Sequence, residues 1–130
     1  MQVPELLIGG LLVALGATVG TPARFFVSGV IARRFGETFP WGTFVVNVSG
    51  SFLVGVAFVL MTERFRPDPW LRSAVTIGFL GAYTTFSTLS LETYRLAEDG
   101  AYGLALANAL GSLAAGMAAV YAGVVIGRAV

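Results

Sequence analysis

Hydrophobic positions in this chain fall into four long runs, not into the alternation of a strand or the one-sided stripe of a soluble helix. The first covers about residues 6–31, is interrupted by Arg24 and closes with Ala32-Arg33-Arg34-Phe35-Gly36-Glu37. The second covers about residues 41–61, is opened by Pro40 and ends in the charged, proline-containing residues 62–69. The third covers about residues 71–94, with polar residues through its middle and Glu92 near its end, and the fourth about residues 102–127, with Arg128 behind it. At about 1.5 Å of rise per residue, runs of about 20 residues cross a hydrocarbon layer of about 30 Å as helices. Strands would need pairing partners that the chain does not have to spare. The pattern predicts an all-α membrane protein, a single domain over residues 1–130 made of four transmembrane helices with short connections.

Composition agrees. Of 130 residues, 56% are hydrophobic and only 12% charged, against roughly 25% charged in soluble domains. Lipid is the expected solvent for most of the surface. The start Met1-Gln2-Val3-Pro4-Glu5 lacks the basic segment of a cleavable signal, so the first run is expected to be retained as a span. Without Cys or His, thiol nucleophiles, disulfides, histidine bases and histidine metal sites are excluded, and an enzyme is not expected. A net charge of +1 offers no argument for nucleic-acid binding.

Four crossings put both termini on one side. Arg64, Arg66, Arg72 and Arg128 then share one face, and Arg33, Arg34 and Arg95 the other. Such an even distribution gives almost no orientation bias. It fits either noise in a small protein or copies that insert both ways and pair as an antiparallel dimer. Small residues recur four apart at Gly16 and Gly20, Ser51 and Gly55, Gly123 and Gly127, and along Gly103, Ala107, Gly111 and Ala115. These smooth faces argue for close helix packing and a self-interface.

Polar residues at membrane depth are the candidate chemistry. Asn47 lies mid-span with Thr43 and Ser51 a turn away on its face. It reads either as glue between helices or as an amide donor to an anion on a polar path. In the third run, Gly78, Gly81, Thr84 and Thr85 invite a break that frees backbone groups near the midplane, although an ordinary helix with hydroxyls bonded back is an equal reading. Phe86 offers a ring edge of positive partial charge. Arg24 falls near one boundary, and Asn108 and Ser112 form a narrow polar stripe on the fourth run. No acidic residue sits mid-span, which favours a passive, donor-lined route for a small anion over coupled cation transport.

The segments Gly20-Thr21-Pro22-Ala23-Arg24-Phe25, Trp41-Gly42-Thr43-Phe44-Val45-Val46-Asn47-Val48-Ser49-Gly50 and Gly78-Phe79-Leu80-Gly81-Ala82-Tyr83-Thr84-Thr85-Phe86-Ser87-Thr88 resemble, in order, those of the Fluc (CrcB) fluoride channels. The resemblance covers essentially the whole chain. It implies a dual-topology, antiparallel homodimer with the third helix broken near its middle, residing in the bacterial inner membrane and passing fluoride passively out of the cytoplasm. Asn47 would be the pore asparagine and Phe86 the first pore phenylalanine, with Thr43, Thr88 and Ser112 as polar pore positions. Arg24 would stand near the cytoplasmic vestibule. Carbonyls of Gly81 and Thr84, from both subunits, would hold a structural Na⁺ at the dimer centre. Two positions depart from the family: Leu89 replaces the second pore phenylalanine, and Asn108 stands where a tyrosine is usual, as a substitute donor in the far half of the pore. The rival readings are a small four-span exporter of toxic cations or drugs, and a non-transporting assembly subunit.

Overall fold

Proline, glycine and short polar caps set the helix boundaries. The computed structural model describes residues 2–130; Met1, part of the segment read above as a retained start, lies outside the described residues. Helix α1 spans Val3–Phe35. Pro4 sits in its first turn, where a missing N–H costs nothing, and Gly36 ends it at φ +81°. Pro22 is accommodated inside the helix. Helix α2 spans Trp41–Arg64, and its last turn, Leu60–Arg64, widens to i→i+5 bonding.

The third span, Pro69–Glu98, starts where Asp68 Oδ1 accepts the Trp70 N–H at 2.8 Å. It is two helices: α3 over residues 69–83 and α4 over Phe86–Glu98. Between them Thr84 (φ −84°, ψ 159°) and Thr85 (φ −151°, ψ 113°) are extended. A turn with Gly100 at φ +77° leads to α5, Tyr102–Ala129. The spans measure 33, 24, 30 and 28 residues, and the chain is a multi-pass membrane protein. They outrun the apolar runs because Arg33, Arg34 and Glu98 continue helical geometry beyond the hydrocarbon, with long side chains that reach water.

Consecutive spans run in opposite directions, as short connections require. The most extensive contacts, however, join helices that run the same way: α1 with α3, and α2 with α5. Glycine explains this choice. A Cβ on Gly16, Gly20 or Gly78 would collide with the backbone carbonyl of Ala74, Phe79 or Val13, so α1 and α3 lie backbone against backbone. Gly55 and Gly123 meet the Val120 and Phe52 carbonyls in the same way across α2 and α5. Lipid supplies no hydrophobic drive between helices, so this close approach provides the dispersion contacts that hold each pair. On α5, by contrast, a Cβ on Gly103 or Gly111 would meet nothing among the described residues; that stripe is not used for close packing there.

The register of α2 on α5 is fixed at their ends by a bidentate pair, Arg128 Nε and Nη2 to Glu63 at 3.1 and 2.8 Å, 65 residues apart. Gly116 beside Ser51 and Val120 beside Gly55 keep the same offset. Few side chains are buried: Val46, Val59, Leu80, Tyr83 and Ala105 are the larger apolar ones, while rings such as Phe25, Phe26 and Phe86 face outward. An exterior this apolar belongs in lipid or against another chain.

Candidate functional site

The interruption of the third span is the centre of the site. Extended backbone at Thr84 and Thr85 ends the helical ladder at the Thr84 N–H, which still donates to the Leu80 carbonyl at 3.0 Å, and the peptide groups that follow must be paired elsewhere. Asn47 of α2 does this with both ends of its amide: Nδ2 donates to the Thr85 carbonyl at 3.0 Å, and Oδ1 accepts the Thr85 N–H at 2.8 Å. Arg24 Nη1 donates to the Thr84 carbonyl at 3.3 Å. Thr85 then caps α4, its Oγ1 accepting the Thr88 N–H at 3.3 Å. Asn47 therefore splices helices, and one of its two amide hydrogens still has no partner among the described residues.

The segment before the break is clamped to the same stretch of α2. Ser49 Oγ donates to the Val46 carbonyl at 3.2 Å, which leaves the Tyr83 hydroxyl to donate to Ser49 Oγ at 2.9 Å. Gly50 makes room, since a Cβ there would strike the Thr84 methyl and the Tyr83 ring. Tyr83→Phe should lower stability by about 1 kcal/mol, the usual net worth of one hydrogen bond, because Ser49 keeps its Val46 bond. A thermal or denaturant titration in detergent checks this; a loss of about 3 kcal/mol or more would give the hydroxyl a different role.

Three cavities follow the break. A mouth of about 580 Å³ is lined by Glu37, Trp41, Thr43, Thr88, Glu92 and Arg95, among others. A small chamber of about 230 Å³ holds Thr21, Arg24, Thr43, Thr85 and Thr88. An open cleft of about 750 Å³ carries Asn47, Thr85, Phe86, Leu89 and Ser112 on a largely apolar wall. Thr43 and Thr88 line both mouth and chamber, and Thr85 lines both chamber and cleft. The three spaces thus succeed one another along a line of hydroxyls and the Asn47 amide.

Donor bookkeeping sorts the candidates. Thr43 Oγ1 gives its hydrogen to Glu92 Oε1 at 2.8 Å. Thr88 Oγ1 accepts from Thr85 Oγ1 at 2.9 Å and keeps its own hydrogen. Ser112 Oγ is buried without a partner. Free donors therefore stand at Thr88, Asn47 and Ser112. Phe86 is 81% exposed, so within one chain nothing holds its ring over the cleft. Leu89 is on the cleft wall. Arg24 is in the chamber beside the break. Asn108 lines none of these spaces: it is fully buried, and Nδ2 donates to Thr93 Oγ1 at 3.0 Å. Gly81 and Thr84 lie together just before the break.

Glu92 was read above as a span-end charge, yet it joins the polar layer with Thr43. The signal was the spacing of Thr88 and Glu92, which puts both on one face of α4 behind its cap Thr85. The Tyr83–Ser49 clamp carried no such signal, because a tyrosine in a span is usually packing.

The sequence profile described as CrcB-like protein, Camphor Resistance (CrcB), matches residues 11–124. The chain belongs to the CrcB family. Its members include a protein of Solibacter usitatus named fluoride-specific ion channel FluC, 48% identical over 118 residues that cover 91% of this chain and 97% of that protein. A Magnetococcus marinus protein of the same name is 46% identical, covering 89% and 94%. A Rhodopseudomonas palustris protein named fluoride-specific ion channel FluC 2 is 48% identical, covering 95% and 96%. The CrcB match runs from within the first span to within the fourth and includes the break, so every residue of the site lies within it.

Proposed function

We propose that this chain forms a passive fluoride channel of the bacterial inner membrane, as a homodimer of oppositely inserted copies. The observation that carries the reading is the Asn47 amide, fixed at the helix break on the wall of the cleft with one hydrogen unclaimed. The names of the CrcB relatives support the choice of ion.

Fluoride is small and strongly hydrated, so losing its shell must be offset by well-placed hydrogens. Thr88, Asn47 and Ser112 offer them in sequence from the mouth inward. None carries a fixed positive charge that would trap the ion, as conduction requires. Thr43 offers its hydrogen only when its bond to Glu92 opens. The Phe86 ring adds a positive edge once a second copy covers the cleft, and Leu89 leaves that stretch without a second ring. The dimer is favoured by the open apolar cleft, the unused Gly103–Gly111 stripe and the even arginine distribution.

A structural Na⁺ fits the donor set near the break. The helical partner of the Gly81 carbonyl would be the Thr85 N–H, which Asn47 Oδ1 has taken. The Thr84 carbonyl accepts Arg24 and retains a second lone pair. These two carbonyls would hold the ion, doubled by the partner copy, and its charge would draw the two breaks together. The residues' own task is to present those oxygens in fixed positions.

Purified chain in liposomes loaded with fluoride should release it within seconds to minutes on adding a potassium ionophore, read with a fluoride electrode. Chloride-loaded liposomes should release at the rate of protein-free ones. Fluoride release no faster than from empty liposomes would sink the channel reading. Release that requires a proton or cation gradient would favour an exporter.

A further inference from the structure

Among the described residues, two side chains of α2 bond residues 83–85, and they do so from opposite flanks of the helix. Asn47 holds Thr85 through both ends of its amide, and Ser49 holds the Tyr83 hydroxyl at 2.9 Å. At about 100° of turn per residue, Asn47, Gly50 and Ser49 follow one another around α2 in that order, over an arc of about 160°. Val46 falls in the same arc and is fully buried. At Gly50, in the middle, an added Cβ would meet the Thr84 methyl and the Tyr83 ring. Residues 83–85 therefore sit astride α2, with one hydrogen-bonded anchor on each side.

A helix anchored along one flank is free to roll about its long axis. A roll of about 10° displaces a group at the outer radius of about 5–6 Å by about 1 Å. The Asn47 bonds, at 3.0 and 2.8 Å, do not survive such a displacement. Tyr83 is suited to resist it. Its ring is buried and stacks on Phe79, with centroids 6.1 Å apart and planes 16° from parallel, and a tyrosine has only two torsions to give way. Ser49 is itself held, since its own hydrogen lies on the Val46 carbonyl at 3.2 Å. Arg24, the remaining tie to this stretch, reaches the Thr84 carbonyl from α1 and so leaves the rotation of α2 untouched.

We propose that Tyr83 is a positioning residue for the site: its hydroxyl, through Ser49, locks the rotation of α2 and so aims the unclaimed hydrogen of Asn47 into the cleft. The inference rests on the reading of Asn47 as the donor of the proposed route. It concerns the aim of that amide and not the identity of the ion.

The chain's only two asparagines are Asn47 and Asn108, which makes the test direct. The full-length protein, with ¹⁵N-labelled asparagine and threonine in phospholipid bilayers, is followed by solid-state NMR, and the signal lost in Asn47→Asp identifies the Asn47 side chain. Tyr83→Phe should shift or split that signal and leave Asn108 in place. It should also speed hydrogen exchange at the Thr85 N–H about fivefold, the equilibrium worth of one hydrogen bond. Ser49→Ala should do the same, and the double variant no more than either alone, because all three remove one bond. Arg128→Gln breaks the ion pair at the far end of α2 and controls for general loosening; both asparagine signals and Thr85 exchange should stay as in the parent. An Asn47 signal unmoved by Tyr83→Phe would overturn the proposal. So would multiplied effects in the double variant, about 25-fold in exchange, or an equal response to Arg128→Gln. A parent chain that releases no fluoride while its Asn47 signal still answers to Tyr83 would sink the channel reading and leave the positioning role standing.

Discussion

Replacing Asn47 with aspartate should cut fluoride flux by about three orders of magnitude while leaving the proposed dimer assembled. Two losses combine. The carboxylate cannot donate to the Thr85 carbonyl, so one bond of the splice at 3.0 Å is lost and a buried acceptor is left bare, at a cost of about 1–3 kcal/mol. It also sets a negative charge on the cleft, beside the route proposed for the anion. At about 4 Å and an effective dielectric near 20, that repulsion is about 4 kcal/mol, which alone is about a thousandfold in rate. The fluoride electrode reads the flux, and size-exclusion chromatography reads assembly. Flux within about tenfold of the parent would remove Asn47 from the route. A collapsed elution profile would instead identify the splice as its main task.

Gly123→Ala should be nearly as severe, though Gly123 lines none of the three cavities. The added methyl meets the Phe52 carbonyl of α2 at a distance where something must shift, and a backbone atom in a helix has nowhere to go. Overpacking of a tight interface costs about 1–3 kcal/mol, and more against rigid partners. A fall in melting temperature of about 10 °C or more, or no monodisperse protein at all, is the expected result. Gly10→Ala is the matched control, because nothing lies within 4 Å of its added atom. There the better helix propensity of alanine should raise stability slightly, by up to about 1 kcal/mol. Equal effects from the two changes would show that backbone contact between α2 and α5 is not what glycine provides.

The four spans were legible because hydrocarbon leaves the chain little choice: a run of about 20 apolar residues must satisfy its own backbone as a helix. The interruption was half legible. Glycines and threonines marked the right segment, but for mixed reasons. Gly78 serves close contact with Val13, while the chain opens at the threonine pair, whose extended backbone Asn47 and Arg24 pair with side-chain donors and an acceptor. Two readings of Asn47 stood side by side, and the structure makes them compatible, since gluing Thr85 consumes only one amide hydrogen. The pairing of α1 with α3 and of α2 with α5 was not legible. Several glycine faces compete in the sequence, and only the three-dimensional fit distinguishes Gly123, which meets a carbonyl, from Gly111, which meets nothing. Glu92 looked like a boundary charge because position along a span was visible while its partner Thr43, on another helix, was not.

The preference of each helix for the one two places later in the chain has a consequence for synthesis. While the ribosome is still making residues before about 80, α1 waits in the bilayer with Gly16 and Gly20 bare, because the carbonyls they nestle against belong to α3. Helix α2 waits longer still, until translation delivers Val120 and Gly123. The two closest helix pairings therefore form in succession, each only after a later span has been made. A nascent chain halted after its second crossing carries two adhesive surfaces with no proper mate, and it is at that stage that quality control has the most to recognise.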